Sequence, residues 1–399
     1  MQWVAYWVLG ICVLGLLHTY VLYPWGMRWA AKGKPSHTDV FGPDDPALPV
    51  VSVLMSVYNE EKVMAAKLQS LFAQAYPSDK LFFFIGSDCS SDQTNPMASA
   101  AAAGRANFFF FPYVERRGKP PVINDLVEAA ITRHPAGPGH VLLLTDASVM
   151  LSPQVVYHLV RHFRDPRIGL VDAYMQNVNL QSQGISTSEN AYMGGETMLK
   201  HAESVLWGQM MGPFGGCYAL RSDLFEPIPA KHLVDDFFLS FRVLEKGFWA
   251  INDLQAVCTE GATHHVGVEF KRKKRIAAGS FQNLALFKRW IMPPATTLGF
   301  AFFSHKVLRW WGGFFLLFGC IAMGVLGLYN QMWLYVFIVS VVLLASLPLI
   351  HQLLERLHFP FGPIRHLAYF ISMNAALVAG FVQWWRGIKG SVWQRTARY

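Results

Sequence analysis

Long stretches without charge constrain this chain more than any other feature of its sequence. Residues 2–26 contain no Asp, Glu, Lys or Arg, and the first charged side chain is Arg28. A second uncharged stretch separates Arg309 from Glu355. A helix that spans a bilayer needs about 20 apolar residues. The first stretch is therefore long enough for one membrane helix, and the second for two helices joined by a turn near Asn330.

A third apolar segment, residues 366–385, follows near the end of the chain. Trp and Tyr are frequent at the ends of all these segments, as expected of side chains that anchor a helix at the membrane interface. We therefore predict one N-terminal transmembrane helix at residues 1–26. Two or three C-terminal transmembrane helices follow within residues 310–386, after an interfacial segment at residues 291–309. A cleaved signal peptide is the weaker interpretation, because no basic residue precedes the first segment.

The composition supports a membrane protein. Hydrophobic residues make up 53% of the chain and charged residues 15%, which is too apolar for an ordinary soluble protein. The net charge is +8, and the basic residues cluster beside apolar segments without any nucleic-acid-binding motif. We therefore predict contact with membrane lipids and no nucleic-acid partner. The five cysteines lack Cys-x-x-Cys spacing, so neither a zinc site nor a disulfide framework is predicted.

The distribution of Lys and Arg predicts how the chain is oriented. Arg28, Lys32 and Lys34 follow the first apolar segment, and nothing basic precedes it. The positive-inside rule then places the N-terminus outside and the middle of the chain in the cytoplasm. Three C-terminal crossings would put the basic tail, residues 387–399, outside and against the same rule. Either the last segment is re-entrant or interfacial, or the rule fails here, and the sequence leaves both open.

The middle of the chain is predicted to be an α/β domain at residues 50–290, after a linker at residues 27–49. Apolar runs at residues 50–57, 81–87, 107–113 and 141–145 indicate buried strands. Helical patterns lie between or after them, at residues 60–75, 119–133 and 153–163. This alternation predicts a mostly parallel sheet, and such sheets bind ligands at the carboxyl ends of their strands. Asn59, Asp88 and Asp146 all fall at such ends.

Taken together and in order, several short motifs resemble those of membrane-bound family 2 glycosyltransferases. The group includes cellulose synthase, hyaluronan synthase, poly-N-acetylglucosamine synthase and ceramide glucosyltransferase. The resemblance covers about residues 51–282 and implies a GT-A (nucleotide-diphospho-sugar transferase) domain. The motifs are SVYNE (56–60), GSDCSSD (86–92), RRGK (116–119), DAS (146–148), PFGGCYALR (213–221), DD (235–236) and RKKRI (272–276), and the resemblance continues through GSFQ (279–282).

The resemblance assigns substrate binding to the first three motifs. Asn59 and Glu60 match the first strand and its turn, and Asp88 should accept hydrogen bonds from the nucleobase or ribose. Lys119 matches a Gly-Lys motif that approaches the nucleotide. The alternatives are a helix cap for Asp88 and a solvated charge run for residues 116–119. Ser87 stands where many relatives have another Asp.

The resemblance places a divalent metal at Asp146 and Ser148, in the position of the family's Asp-x-Asp motif. Mg²⁺ takes one or two carboxylates together with substrate phosphates, and Mn²⁺ is the other candidate. Ser148 replaces the second carboxylate, which predicts weaker or water-mediated metal binding. The alternative is that Asp146 only caps the end of its strand.

The Asp-Asp motif carries the predicted catalysis. By resemblance, Asp236 is the general base that takes the proton of the acceptor hydroxyl, and Asp235 is its catalytic neighbour or a helix cap. Two adjacent carboxylates repel one another, which should raise the apparent pKa of the pair. Gly215 and Gly216 belong to a loop that resembles the one shaping the acceptor site in the family, although a purely structural turn explains either glycine alone.

The last motif of the family is altered in this chain. The resemblance assigns Arg272, Arg275 and Gln282 to substrate binding, with Arg275 on the diphosphate. Ile276 replaces a Trp on which polymerising relatives stack their acceptor. An anchor to anionic lipid is an alternative role for the cations at residues 271–275. His264 and His265 are left out of the predicted metal site.

These observations predict a metal-dependent hexosyltransferase of the inverting type. It would take a sugar from a UDP-sugar at the cytoplasmic face of a bacterial inner (plasma) membrane. The acceptor is either a polysaccharide, with any secretion or assembly partner unknown, or a membrane lipid that receives a single sugar. A non-catalytic membrane partner with a degenerate GT-A domain is the third interpretation. Ser87 and Ser148 favour this third interpretation, and the four retained residues Asp88, Asp146, Asp236 and Arg275 oppose it.

Overall fold

The computed structural model describes residues 1–178, 186–261, 266–291, 296–357 and 361–391 of the 399-residue chain. The chain forms two compact units. The sheet unit comprises Ala31–Asn179, Glu196–Ala262 and Ile388–Tyr399. The helical unit comprises Met1–Ala30, Leu180–Gly195 and Thr263–Gly387.

A single sheet of eight strands, in the order β3-β2-β1-β4-β7-β6-β8-β5, forms the centre of the sheet unit. Its strands are β1 Val50–Val57, β2 Leu81–Asp88, β3 Phe108–Tyr113, β4 His140–Thr145, β5 Val149–Leu151, β6 Ile168–Val178, β7 Cys217–Arg221 and β8 Trp249–Gly261. The first half, β3-β2-β1-β4, is parallel throughout. In β1 every residue after Val50 is buried, because helices cover both faces of a parallel sheet.

The second half of the sheet makes it mixed rather than mostly parallel. The strand β7 is antiparallel to β4 and to β6, and β5 is antiparallel to β8, whereas β6 and β8 are parallel. Apolar runs in the sequence predicted β1 to β4, but β5, β6 and β8 were not predicted. Their neighbours in the sheet are distant in the chain, so no local pattern indicates the pairing.

Helices flank this sheet, and three of them lie close to the positions predicted at residues 60–75, 119–133 and 153–163. They are α3 Glu61–Phe72, α4 Thr94–Ala103, α5 Lys119–Arg133, α6 Val155–Val160, the later part of α7 Ser186–Trp207, and α8 Asp235–Glu245. The helix α5 has the predicted bounds, because prolines in its first turn fix the start and a buried apolar stripe continues to Ala130. The helix α8 begins at the Asp-Asp motif itself, as the resemblance implied.

The helical unit contains the apolar helices. They are α1 Gln2–Leu17, which continues as a π-helix into α2 Tyr23–Ala31, then α9 Val266–Leu286, α10 Thr297–Ala301, α11 Leu308–Trp310, α12 Gly312–Gly327, α13 Gln331–Arg356 and α14 Gly362–Trp385. Among the described residues, three helices are long and apolar enough to cross a membrane: Gln2–Ala31, Gln331–Leu354 and Gly362–Trp385. Thr297–Trp310 and Gly312–Gly327 form a pair bent by 60°, which is a further span or a re-entrant loop.

The helix α9 packs against α14 within the helical unit. A side chain at Gly380 of α14 would collide with Ala277 and with the backbone of Lys274, so the two helices approach closely at this point. The predicted domain boundary at residue 290 put α9 with the sheet, whereas its contacts place α9 with the other helices of the helical unit. Conversely, residues 388–391 belong to the sheet unit rather than to a separate tail, and residues 392–399 lie outside the described residues.

Candidate active site

The turn after β4 brings Asp146 beside the two glycines that precede β7. Because β4 and β7 are antiparallel, Thr145 pairs with Cys217, the first residue of β7. The backbone N–H of Asp146 donates to the carbonyl of Gly216 at 3.0 Å. The register of the sheet therefore places the predicted metal ligand and the predicted acceptor loop at the same edge.

The Asp-Asp motif occupies the first turn of α8, where the positive end of the helix dipole favours carboxylates. Asp235 is buried and Asp236 is half-buried. Asp236 accepts a hydrogen bond from the N–H of Phe237 at 2.8 Å. Gly215 has a φ of +84°, and any side chain there would run into the Asp236 carboxylate. Gly215 therefore allows the acceptor loop to lie directly against the predicted base.

Lys119, the first residue of α5, joins these carboxylates. Its ammonium lies 2.9 Å from Asp146 Oδ1 and 3.4 Å from Asp235 Oδ2. The side chain is only 22% exposed, so Lys119 is not part of a solvated charge run. Arg117, two residues earlier, fits a solvated charge run better, because it pairs with Asp125 and both side chains are partly exposed. One ammonium thus connects the end of β4 to the start of α8.

The electrostatics of the site set the protonation of Asp236. Burial, followed by repulsion from Asp235, raises the pKa of Asp236 to about 7, although attraction to Lys119 opposes the rise. Burial alone would lower the pKa of Lys119, but Asp146, Asp235 and Asp236 outweigh it and raise that pKa. Lys119 therefore stays charged, while Asp236 titrates near neutral pH. A carboxylate with such a pKa is suited to accept a proton from a hydroxyl.

Asp88 holds the loop that leads into Lys119. Its two carboxylate oxygens accept the backbone N–H groups of Arg117 and Gly118, at 2.7 and 2.9 Å. The side chain is fully buried, and Gly118 has a φ of +89°. Asp88 thus fixes the residues before α5 rather than capping the helix α4 that follows it. Direct contact of Asp88 with a nucleotide stays a prediction.

Asn59 connects the end of β1 to the loop after β2. Its backbone lies in the left-handed region, with a φ of +53°. The side-chain oxygen of Asn59 accepts a hydrogen bond from the backbone N–H of Ser91 at 2.8 Å. The backbone N–H of Asn59 donates to Ser90 Oγ at 3.0 Å. The N–H of Glu60 donates to Thr94 Oγ1 at 2.8 Å. The substrate-binding role of Asn59 and Glu60 stays a prediction, and the structure shows that their backbone braces this edge of the sheet.

Ser148 has a carboxylate partner that the sequence did not indicate. Its hydroxyl donates to Glu260 Oε1 at 2.7 Å, and Glu260 lies near the end of β8. The pairing of β5 with β8 creates this contact, because Val149 faces Glu260 in the register. Since β8 was not predicted, nothing in the sequence identified Glu260 as part of the site.

The donor set near Asp146 fits a divalent metal that arrives with phosphate oxygens. Within the described part of the chain, no group of three or more His, Cys, Asp and Glu side chains could hold an ion alone. Asp146 is 43% exposed, and Ser148, on the same turn, donates a hydrogen bond to Glu260 of β8. Mg²⁺ is commonly held by one or two carboxylates plus substrate phosphates, which these residues can provide.

The predicted substrate-binding residues of the last motif lie on α9 in the helical unit. The Arg272 guanidinium lies 3.1 Å from Glu189 and 3.2 Å from Glu269, and both glutamates are buried. Ion pairing within the helical unit therefore occupies Arg272, which had been assigned to substrate from the motif. The substrate-binding roles of Arg272, Arg275 and Gln282 stay predictions. His264 and His265 lie outside the described residues.

A buried ion pair anchors the acceptor loop, and it was also missed. Lys200 of α7 lies 2.7 Å from Asp172 of β6, with both side chains 1% exposed. The same Asp172 oxygen accepts the N–H of Phe214 at 3.3 Å, and the Lys200 ammonium lies 3.5 Å from the centre of the Phe214 ring. Asp172 and Lys200 thus fix the residue immediately before Gly215. Neither α7 nor β6 had been predicted, so nothing in the sequence indicated this ion pair.

Comparison with known proteins adds independent findings. Residues 47–279 match the family described as "Glycosyltransferase like family 2". The beta-monoglucosyldiacylglycerol synthase of Trichormus variabilis is 25% identical over 288 residues, which cover 68% of this chain and 57% of that protein. The N-acetylglucosaminyltransferase of Rhizobium leguminosarum bv. viciae is 23% identical over 253 residues, 60% of this chain and 57% of that protein. The chain therefore spans little more than half the length of these curated relatives.

A solved structure resembles the chain over nearly its full length. The mannosyltransferase PcManGT from Pyrobaculum calidifontis, in complex with GDP-Man and Mn²⁺, superposes with a TM-score of 0.69. The match covers 95% of this chain and 99% of that chain, at 21% sequence identity. At this identity, the likeness establishes a shared fold.

Proposed function

Since this chain belongs to the family 2-like glycosyltransferases, whose profile matches more than half of it, we propose that it transfers a sugar from a UDP-sugar to an acceptor hydroxyl at a membrane surface. Membership of the family confirms the prediction that the chain is a glycosyltransferase. The predicted GT-A fold is also confirmed, with a mixed sheet in place of a mostly parallel one.

The contact of Lys119 with both Asp146 and Asp235 carries the proposal. It places a cation at the predicted donor side, next to the half-buried Asp236 at the predicted acceptor side. Asp236 accepts the proton of the acceptor hydroxyl, and the hydroxyl oxygen forms a bond to the anomeric carbon. The bond from that carbon to the diphosphate breaks on the opposite side, and UDP leaves with the electron pair. Such a single displacement inverts the anomeric configuration.

Lys119 supports this reaction through its charge. Preorganised charges directed at a developing anion are usually the largest catalytic contribution. The ammonium of Lys119 pairs with Asp146 and Asp235 and would offer a positive charge near the leaving diphosphate. It also lowers the pKa of Asp236 and so increases the fraction of base that is ready to accept a proton.

We propose that Asp146, with Ser148 and Glu260 behind it, holds Mg²⁺ or Mn²⁺ together with the donor diphosphate. When bound, the ion would neutralise charge on that diphosphate. Asp146 would present its exposed oxygen, and the hydrogen bond from Ser148 to Glu260 would hold the turn in place. The single exposed carboxylate predicts modest affinity for the metal.

A chelator should therefore abolish sugar transfer, and Mn²⁺ or Mg²⁺ should restore it. Ser148→Asp should tighten binding of the ion, because it restores a second carboxylate to the turn. We would titrate Mn²⁺ into wild type and variant in the presence of UDP and follow binding by calorimetry. Full activity in excess chelator would show that Asp146 does not bind a metal. Cations such as Lys119 would then stabilise the leaving diphosphate without an ion.

We propose a membrane lipid as the acceptor. Ile276 offers no stacking face in the position where polymerising relatives have Trp, which favours few additions over a long chain. One curated relative is named as a beta-monoglucosyldiacylglycerol synthase, and this name supports a lipid acceptor. The other is named as an N-acetylglucosaminyltransferase. A polysaccharide acceptor is the second candidate.

Mass analysis of the products tests this proposal. Purified protein would be incubated with membrane lipids and each member of a panel of UDP-sugars. A single sugar added to a lipid is the expected result. A ladder of products would identify a polymerase and overturn the lipid acceptor. No product from any donor would overturn the proposed function itself.

The end of the chain bears on the membrane topology. Ser391 donates a hydrogen bond to the carbonyl of Ala230 at 2.7 Å, and it also contacts Gly118, where a side chain would collide with it. This contact supports the proposal that residues 388–391 lie on the same side of the membrane as the sheet unit. We propose that an even number of crossings separates the sheet from this tail, an arrangement that agrees with the positive-inside rule.

The packing of α14 favours one arrangement of these crossings. Its Gly380 lies against Lys274 and Ala277 of α9, a helix with five consecutive cations at residues 271–275. Charged side chains at the centre of a bilayer are costly, at about 2.5–3.5 kcal/mol each on insertion scales. We therefore propose that α12 and α13 cross the membrane, and that α14 lies at the cytoplasmic interface with α9. The location in a bacterial plasma membrane stays a proposal.

Cysteine labelling should show this topology. Single cysteines at Ser78 and Lys389, in a variant that lacks the five native cysteines, should resist an impermeant reagent applied to intact cells. A cysteine at Met1 should react, and all three should react after permeabilisation. Labelling of Lys389→Cys from outside would mean that α14 crosses, and labelling of Ser78→Cys would refute the orientation.

A further inference from the structure

A buried lysine lies beneath the turn that carries Asp146. Lys67, in the middle of α3, is fully buried. Its ammonium donates to Thr145 Oγ1 at 2.8 Å and to the carbonyl of Val149 at 2.6 Å. These acceptors are the residues immediately before and after the turn 146–148. Lys67 therefore ties together both ends of that turn.

The surroundings of Lys67 make its presence costly for folding. Among the described residues, no carboxylate lies within ion-pair distance of its ammonium, whose two acceptors are neutral oxygens. A buried ammonium group loses its hydration, and only well-placed partners compensate for that loss. Burial accordingly lowers the pKa of Lys67 to about 8, although Cys217, Cys258 and Asp146 oppose this effect.

Thr145 extends the contact toward the acceptor loop. Its hydroxyl accepts from Lys67 and lies 3.1 Å from the carbonyl of Gly216. The same carbonyl accepts the N–H of Asp146. Lys67 thus supports, through one threonine, the backbone on which Asp146 and the glycine loop meet. Lys119, by contrast, approaches Asp146 directly from the side of the predicted donor.

We infer that Lys67 is a positioning residue for donor binding, which holds the turn 146–148 so that Asp146 and Ser148 face the donor diphosphate. The inference rests on the proposed function and adds a residue to the same site. The positive charge of Lys67 also offsets the negative charge of Asp146, in a chain where Ser148 has replaced the second carboxylate. A role in stability alone does not explain a buried cation with only neutral acceptors.

Lys67→Met tests this inference, because it keeps the length of the side chain and removes the charge and both hydrogen bonds. Removal of groups that orient ligand-binding side chains typically costs about 10–100-fold in affinity. We expect UDP affinity to fall by a factor in that range. We also expect thermal unfolding of the full chain in detergent to occur at the same temperature or higher. Lys62→Met, an exposed position on the same helix, is the matched control and should change neither quantity.

Two results would overturn the inference. One is UDP affinity equal to that of wild type in Lys67→Met. The other is a large fall in the unfolding temperature of Lys67→Met, with the whole loss of UDP binding accounted for by the fraction of unfolded protein. If Lys67→Met does not fold, Thr145→Val provides the second test, since it removes the acceptor and keeps the cation. It should weaken UDP binding, and unchanged binding would equally exclude the positioning role. Absence of UDP binding by wild type would instead contradict the proposed function.

Discussion

Replacing Asp236 with Asn should lower the rate of sugar transfer by about 10²–10⁴-fold, the usual effect of losing a general base. The amide has nearly the same shape, so it still fits against Gly215 and still accepts the N–H of Phe237. UDP affinity should therefore stay close to that of wild type. Transfer would be measured as product formed per minute at saturating donor, and UDP binding by calorimetry.

Asp235→Asn is the matched control for this variant. Asp235 is buried against Lys119, and its repulsion helps to raise the pKa of Asp236. Neutralising Asp235 should move the acid limb of the pH profile to lower pH and should reduce turnover less than Asp236→Asn does. Near wild-type turnover in Asp236→Asn would show that another group accepts the proton.

Lys119→Met should have the second largest effect. Removing one preorganised group that stabilises developing charge typically costs about 10²–10³-fold in kcat. The loss has two causes here. The cation near the leaving group disappears, and Asp146 and Asp235 lose their shared partner. Donor affinity should also fall, because the diphosphate then approaches a site with a net excess of carboxylates.

The pH profile separates the role of Lys119 from a general loss of structure. Asp236 must be ionised to act as a base, and its pKa is raised to about 7, so kcat/KM should rise with pH through neutrality and level off above it. Lys119 lowers the pKa of Asp236. Its removal should therefore raise that pKa and move the acid limb to higher pH, so that less of the base is ionised at any acidic pH.

Arg117→Met is the control for that profile, because it removes a neighbouring cation whose side chain pairs with Asp125 on the surface. Its acid limb should stay in the wild-type position. An unchanged acid limb in Lys119→Met, or one moved to lower pH, would contradict the electrostatic account of Asp236.

Local sequence was sufficient to predict the strands in the first half of the sheet, β3-β2-β1-β4. Apolar runs bounded by polar residues identified β1 to β4, and α5 was predicted at its observed bounds. The carboxylates at strand ends could be grouped because parallel strands end at one edge. The Asp-Asp motif at the start of α8 was recognisable because adjacent acidic residues before an apolar helix match the family pattern.

The contacts that define the site depend on pairings that local sequence does not encode. Lys119 reaches Asp146 and Asp235 only because β4 pairs with β7 and α8 begins beside the glycine loop. Glu260 meets Ser148 through the antiparallel pairing of β5 with β8. Lys67 lies within the helix predicted at residues 60–75, and its burial beneath Thr145 could not be foreseen from the helical pattern.

Arg272 has partners that the sequence did not indicate. Its position in a basic motif predicts a substrate contact, which stays a prediction, and two buried glutamates, Glu189 and Glu269, form ion pairs with it within the helical unit. Glu189 lies 83 residues earlier in the chain, on a helix that had not been predicted. A charge run in a sequence therefore does not reveal which of its members already have partners.

The anomeric configuration of the product tests the central claim most directly. A single displacement with Asp236 as the base should convert an α-linked UDP-sugar into a β-linked product. The product made by purified protein from the donor that it accepts would be examined by NMR, with the coupling constant of the anomeric proton as the readout. A β-linkage is the predicted result. An α-linkage would contradict this mechanism, because retention requires a different route from direct attack by a hydroxyl that Asp236 deprotonates.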